Sequence, residues 1–483
     1  MDVDHHMTHD LKLQKKQILS DPLSIFSSQS SDDDTSRKNQ LSELWAQLQS
    51  IKKQGQVIQD KTKIISRQIG EAKKNNRSIE ELMSSMQTFS TEKKQLKQQQ
   101  DNIESQILSF FSIDEDRSSP DAKADKPLSG HHAKTSIDDI DKITVSQLDD
   151  EEDEWNDYVS KQSAATIHHL TQWREILKKT YAIECFYFIA RDSDNQTVGV
   201  LPLTRLKSRL FGDLLVSMPY FQRGGAIADH PLIEQKLMQS ANKTAARLGI
   251  DHIEYRDDIP RENLPLQDHK VNMILALPES EDELWQGFTP KLRAQIKRPQ
   301  QLSPQVIIGG KDLLNDFYKV YTRNMRDLGS PAHSKLYVEN ILDSFPENSW
   351  IVVVKLNDRA VSAGLLLAHG DTMEIPLAST IRKANPQSMN MLLYWAVLKH
   401  AIRHGYRYFD FGRSSKDAGT YRFKRQWGAQ PKQLYWHYWL NKANQMPALN
   451  PSNPKYALII GVWKRLPVML TRWLGPLVVK NLP

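Results

Sequence analysis

The chain has 483 residues, 39% of them hydrophobic and 25% charged, with a net charge of +6. That is room for two ordinary domains with polar extensions. A single cysteine, Cys185, excludes an intramolecular disulfide framework and a cysteine-rich metal centre. It sits in the apolar run Cys185-Phe186-Tyr187-Phe188-Ile189 and reads as a buried structural thiol. No run of about 18 apolar residues exists to cross a bilayer. The opening MDVDHHMTHDLKLQKK lacks the apolar core of a secretion signal, so a cytoplasmic protein is expected.

Residues 1–37 are polar, rich in Ser and Asp, and predicted to be disordered. Residues 38–112 contain no proline, and Leu41, Leu44, Leu48, Ile51, Ile58 and Ile65 follow a 3–4 spacing. Polar turn formers at 73–78 interrupt this seam, and it resumes at Ile79, Leu82, Met86, Phe89, Leu96, Ile103, Ile107 and Phe110. Ser78 with Glu80 and Glu81 suits a second helix start. The pattern predicts a coiled-coil hairpin with an arm about 50 Å long; one continuous dimeric coiled coil is the competing reading, and it would make the arm an element of self-association. The arm carries 12 Lys and Arg against 8 acids, which suits RNA contact and is also common in coiled coils.

Residues 113–142 read as a linker that runs on to the acidic stretch at 149–154, a solvated helix start. From 143 the pattern turns α/β. A helix is expected at 166–180, strands at 186–191 and 197–203, a helix at 233–248, and strands at 252–255 and 271–277. A second block repeats the order: helices at 313–328 and 335–344, strands at 350–356, 360–368 and 373–378, a helix at 389–404, then strands at 408–412 and 434–440. The expected domains are therefore 143–277 and 278–440. The tail, 441–483, holds short apolar stretches broken by Lys464, Arg465 and Arg472. It reads either as an amphipathic element at the inner membrane surface, with Trp463 and Trp473 at the headgroups, or as a helix docked on the domains.

Two helices, an antiparallel meander, a helix and a strand is the order of the GNAT acetyltransferase fold, and two copies imply a duplication. The fold class predicted is α/β: two tandem GNAT-like domains behind a helical hairpin. The run Ile65-Ser66-Arg67-Gln68-Ile69-Gly70-Glu71-Ala72-Lys73-Lys74, with Ile79 to Met83, resembles the tRNA-gripping arm of seryl-tRNA synthetase. The α/β part resembles the Fem-type aminoacyltransferases, including the branch found with exopolysaccharide and exosortase clusters. The likeness rests on Val198–Leu203, Ser217-Met218-Pro219-Tyr220 with Gly224-Gly225, Phe409–Ser414 and Tyr421–Gly428. It implies transfer of an aminoacyl group from aminoacyl-tRNA to an amine of a cell-envelope (peptidoglycan or exopolysaccharide) precursor, with no cofactor. An acyl-CoA or acyl-carrier enzyme acting on a polysaccharide sugar, and a non-catalytic tRNA-binding scaffold, are the alternatives. Here the arm precedes both domains, whereas in the family it is usually inserted.

An ester attacked by an amine passes through an oxyanion, so the site needs a cation or donors, a proton acceptor and phosphate anchors. The resemblance implies that Lys424 stabilises the oxyanion; its other reading is a surface lysine on a short helix. Asp410, at a strand end, is the candidate proton acceptor or cation orienter, or else a structural partner of Arg413 or Arg422. Arg413 and Ser414 are candidate binding residues beside it, and Arg422 and Arg425, which flank Lys424, either hold phosphate or form a solvated face. Trp427, in the motif with Lys424, is a further binding candidate; Tyr394 and Tyr421 are weaker ones, since aromatics there are more often core. Tyr220, Gly224 and Gly225 form a turn where backbone can approach a ligand closely; the resemblance implies a wall of the acceptor site there, and a plain tight turn is the other reading. Arg293, Lys297 and Arg298, with Lys291, would suit tRNA phosphates or a diphosphate-linked precursor, or form a solvated helix face. The stretch before the main helix, Arg382–Met389, has no glycine, which counts against the backbone cradle that holds the pyrophosphate of CoA. No metal-ligand pattern is visible, and His168-His169 reads as an ordinary helix face.

Overall fold

The computed structural model describes residues 35–74, 80–109, 137–208, 212–261, 264–416, 418–443 and 454–482, with Ile18, Pro22 and Met446 as single positions. The chain divides into two units, 1–125 and 126–483.

The first unit is built on α1 (Thr35–Lys74) and α2 (Glu80–Ser109). Leu41 and Leu48, early in α1, are buried with Ile103 and Ile107, late in α2, so the helices run antiparallel as a hairpin. An ion pair between Lys52 and Glu104 at 3.7 Å keeps the same register. The seam residues thus bury against each other within one chain, as the 3–4 spacing predicts. Residues 75–78 of the polar turn lie outside the described residues, as do most of the stretch before α1 and of the expected linker, while Lys73 and Lys74 end α1.

The second unit contains β1 (Thr144–Gln147), α3 (Glu152–Lys161), α4 (Gln172–Tyr181), β2 (Cys185–Arg191), β3 (Thr197–Ser208), β4 (Gly212–Val216), β5 (Ile227–Ala228), α5 (Pro231–Leu248) and β6 (His252–Asp257). Next come β7 (Leu266–Gln267), β8 (Lys270–Ala276), α6 (Glu281–Gly287), α7 (Pro290–Gln300) and β9 (Gln305–Gly309). The second block follows: α8 (Leu314–Leu328), α9 (Lys335–Ser344), β10 (Ser349–Leu356), β11 (Arg359–His369), β12 (Thr372–Thr380), α10 (Met389–Arg403), β13 (Tyr408–Ser415), α11 (Gly419–Arg425), β14 (Gln430–Gln433) and β15 (Tyr435–Leu440). Two tail helices, α12 (Pro454–Trp463) and α13 (Val468–Val479), close it. The tandem α/β architecture is as the element order predicts.

The strands form two sheets, ordered β1-β2-β3-β4-β6-β15-β7, with β5 beside β3, and β14-β8-β13-β12-β11-β10-β9. Each has one parallel pair, β4 with β6 and β12 with β13. Residues 351–354 of β10 are fully buried because both faces of the second sheet are covered. Ile351 and Val353 meet α8, α9 and the first block's α4 on one face, so the blocks share a core. Val352 and Val354 meet α7 and α10 on the other.

The boundary expected at 277 does not follow the sheets. Strand β8 follows β6 in the chain, yet it pairs with β13 and β14 in the second sheet. Conversely β15, at the end of the second block, pairs with β6 and β7 in the first. Each block lends the other the strand that lies beside the second member of its parallel pair. Val271 and Met273 of β8 fill the second core. A chain ending at residue 277 would thus leave β6 an open edge and carry an unpaired apolar strand. Expressed alone, residues 137–277 should aggregate and lack a cooperative melt by circular dichroism, whereas residues 126–483 should show one.

Candidate functional site

The parallel pair of the second sheet is short. Thr372, Met373 and Glu374 pair with Tyr408, Phe409 and Asp410, and there the strands part. Both are irregular just beyond. The register of β12 on β11 shifts between Leu365 and Leu367, and that of β13 on β8 shifts between Asp410 and Arg413. Gly412, at φ +76°, turns the β13 bulge. Glu374 and Asp410 are thus set side by side where the sheet opens, and both are buried.

Asp410 is closely held. One oxygen accepts from the backbone N–H of Gly412 at 2.6 Å. The other accepts from Asn272 Nδ2 at 2.6 Å and Gln222 Nε2 at 3.3 Å. Burial, and then the charge of Glu374, raise its pKa above the ordinary carboxylate value, against the lowering effect of Asn272, Arg223 and the Gly412 N–H.

Lys424 comes from α11 on the other side of the bulge. Its ammonium donates to the carbonyls of Gly412 and Arg413, both at 2.9 Å. It is buried, which brings its pKa down to about 8, with Asp410 opposing that shift. Asp410 and Lys424 therefore clamp one bulge from its N–H and C=O sides. Two of the lysine's three N–H bonds are used in this, leaving one for a developing anion.

The first block roofs the pair. Ile167 to His169 form one 3₁₀ turn, capped by Thr166. His168 Nε2 meets Glu374 Oε1 at 2.8 Å across the two blocks, and its ring stacks on Phe221 at 3.8 Å. His169 bonds the carbonyl of Gly225 at 3.1 Å, and burial brings its pKa down to about 3, so it is neutral. Arg223 is held by Asp258 at 2.7 Å; burial opposes its charge, but Asp258, Asp410 and Glu374 outweigh that and keep it protonated. A cavity of about 270 Å³ lies between residues 160–167, Arg223 and residues 369–374, with Glu374 and Asp410 in its wall. Three carboxylates, those of Asp371, Glu374 and Asp410, line this space with the His369 imidazole, the Arg223 guanidinium and Lys161, and an acid-rich wall of this kind suits an ammonium-bearing substrate that must lose a proton.

Several expected site residues lie elsewhere. Tyr220 is packed edge-on against His333 at 4.7 Å and donates to the carbonyl of Lys480, so it belongs to an aromatic cluster. What approaches Gly225 closely is the Asp257 carboxylate, and what approaches Gly224 is Met218; these glycines are required by packing. Trp427 is buried in the second core against Phe288, and Tyr394 stacks on Phe411 there. Tyr421 packs on the same core. Ser414 is buried with no hydrogen-bond partner for its hydroxyl among the described residues. Arg413 is exposed and lies over Trp436 at 5.1 Å. Arg422 and Arg425 are exposed on α11, the latter bonded to Gln430 and the Ala429 carbonyl. Lys291, Lys297 and Arg298 are exposed along α7, and Arg293 bonds the carbonyls of Trp285 and Gln286. Cys185 is inert, its thiol pushed up to about 12 by burial. His168-His169 is not a helix face: both rings are buried and each bonds a different partner.

Glu374, His168, Asn272 and Arg223 were not expected. Two of them carry a readable signal, a lone polar residue in an apolar run: Met373-Glu374-Ile375 and Val271-Asn272-Met273.

Residues 290–425, which contain this opening in the sheet, match the acetyltransferase (GNAT) domain. Residues 13–112 match the seryl-tRNA synthetase N-terminal domain, so that match begins before α1. No protein of curated function matches the chain. Solved structures similar to the chain include FemX, 16% identical over 65% of this chain and 100% of that one, TM-score 0.49. Another is the C-terminal domain (DUF2156) of a putative lysylphosphatidylglycerol synthetase from Agrobacterium fabrum, 11% identical over 59% and 90%, TM-score 0.42. A tandem GNAT protein from the clavulanic acid biosynthesis pathway is 12% identical over 63% and 100%, TM-score 0.41.

Proposed function

We propose that the chain is a cytoplasmic N-acyltransferase that moves an aminoacyl group from aminoacyl-tRNA to an amine of a cell-envelope precursor. The observation that carries this reading is the union, in one chain, of an acyltransferase domain with a helical hairpin of the seryl-tRNA synthetase N-terminal type. The Fem-type motifs at 409–414 and 421–428 support an envelope amine as acceptor, and they surround Asp410 and Lys424. The stretch before α10 supports a donor other than acyl-CoA: residues 382–387 wind into a 3₁₀ turn containing Pro386 and no glycine.

In this reading the acceptor enters the cavity as an ammonium beside Glu374 and Asp410. Glu374, bonded to His168, takes its proton. The free amine attacks the ester carbonyl carbon, forming the C–N bond and an oxyanion that the remaining N–H of Lys424 stabilises. Glu374 passes that first proton to solvent and then takes the second proton from the nitrogen of the adduct; collapse breaks the C–O bond to the tRNA ribose, and this second proton passes from Glu374 to the leaving ribose oxygen. No covalent enzyme intermediate is needed.

The test is tRNA binding and transfer by the full chain against a chain lacking residues 1–112. The full chain should bind tRNA and transfer from aminoacyl-tRNA, and removal of the arm should lower tRNA affinity at least tenfold. If four phosphates are engaged, affinity should fall about a hundredfold from about 50 to about 200 mM salt. Transfer from acyl-CoA with none from aminoacyl-tRNA would replace this reading.

A further inference from the structure

The tail helices have two sides of opposite character. One side is anchored on the second block. Trp463 donates to the Ser330 carbonyl at 3.2 Å, Arg326 to the Leu466 carbonyl at 3.1 Å, and Arg472 to Thr322 at 2.9 Å. Thr471, Gly475 and Val479, one stripe of α13, are buried, and Gly475 lies so close to Ala332 that a side chain there would collide with its backbone. The opposite stripe of the same helix is apolar and open: Met469 is 77% exposed, Trp473 70% and Leu477 53%. Ile459 and Val462 on α12 are exposed as well, with Lys464 and Arg465 beside them. Large apolar side chains at such exposure mark a surface that meets something.

Between these two sides lies a cleft. Val468 and Arg472 of α13 form one wall of a space of about 750 Å³ lined also by Lys319, Arg323, Arg326, Arg359 and Lys383, with Asp316 and Asp358 as its only carboxylates. Asp316 is already paired with Lys319 and Lys355. The cleft therefore has a marked excess of positive charge, immediately beside a row of exposed Met, Trp and Leu. An apolar row that includes a tryptophan, flanked by cations, is the arrangement of an element lying in a bilayer interface.

We propose that this face docks on an anionic phospholipid membrane. Met469, Trp473 and Leu477 enter the interfacial zone, and Arg323, Arg359, Lys383 and Arg472 receive lipid headgroup phosphates. The cations supply the complementarity to an anionic surface, and their position along one side of α13 fixes which way the helix faces. No helix among the described residues is long and apolar enough to cross a membrane, so the contact is peripheral. This surface is independent of which acyl donor the enzyme uses.

The test is sedimentation of the full chain with vesicles of phosphatidylcholine alone and of phosphatidylcholine with phosphatidylglycerol, at two salt concentrations. The unaltered protein should bind the anionic vesicles, less so at high salt. M469S/W473S should weaken that binding at least tenfold without changing the circular dichroism spectrum. R323A/R359A/K383A should weaken binding to anionic vesicles by about fivefold per cation lost and leave binding to neutral ones unchanged. Absence of vesicle binding by the unaltered protein, or equal binding by M469S/W473S, overturns the proposal. So does a dimer in solution that M469S/W473S dissociates, since the face would then be covered by a second copy. Binding unaffected by the triple substitution overturns the headgroup role of the cleft.

Discussion

Replacement of Glu374 by Gln is expected to lower acyl transfer by about two to four orders of magnitude, the usual worth of a positioned proton acceptor. The fold should survive, because a glutamine oxygen can still accept from His168 Nε2, which now meets Glu374 at 2.8 Å. The pH dependence distinguishes this role from a structural one. Asp410 has its pKa raised by burial and then by the charge of Glu374, so Asp410 keeps its proton above the ordinary carboxylate range, and activity should climb with pH as that proton leaves. In Glu374→Gln the second cause is gone, so Asp410 should ionise at lower pH and the acid limb of the residual activity should move down. Stability follows the same sign. A carboxyl whose folded pKa is raised favours the fold when protonated, and that contribution is lost as pH rises through the folded value. The substitution should shrink this loss, measured as the change in melting temperature between an acidic and a neutral buffer. An unchanged acid limb together with full activity would remove Glu374 from the chemistry.

The fold was legible wherever one periodicity governs a whole element. The helix at 335–344 and the strand at 252–255 stand within two residues of their expected bounds because Tyr337, Val338, Ile341 and Leu342, or Ile253 and Tyr255, repeat with the right period against the core. Strand pairing was not legible. Nothing local in Val271–Leu275 or Tyr435–Leu440 says which sheet the strand joins, since either block offers the same open edge beside its parallel pair. The site was half legible. Asp410 and Lys424 stood out through a motif, and both lie at the bulge. Glu374 and His168 are about 200 residues apart in the chain, and only the packing of the two blocks brings them together. The aromatic and glycine candidates failed for a common reason: a residue at a motif can be fixed by packing as firmly as by chemistry, as Trp427, Tyr394 and Gly225 are.

Lys424→Met should abolish most transfer, by about 10²–10³ if the ammonium is the principal donor to the oxyanion. Its effect on stability should be far smaller than the loss of a buried ion would suggest, because two contributions oppose each other. The folded pKa of about 8, against an ordinary 10.5, means that holding this lysine charged costs the fold about 3 kcal/mol at neutral pH. Methionine removes that cost. It also leaves the carbonyls of Gly412 and Arg413 without the ammonium, at about 1–3 kcal/mol each. The net change should be within a few kcal/mol, read as a modest fall in melting temperature. The sign with pH is fixed by the lowered value: the unaltered protein gains stability between about pH 8 and 10.5 as the buried lysine loses its proton in the folded state first, and Lys424→Met should lack that gain. Activity runs the opposite way. If the charged form is needed, transfer by the unaltered enzyme should decline above about pH 8. An alkaline limb near pH 8 that is absent from the residual activity of Lys424→Met ties the ammonium to the reaction. A stable Lys424→Met protein with full transfer would leave the lysine only its hold on the bulge.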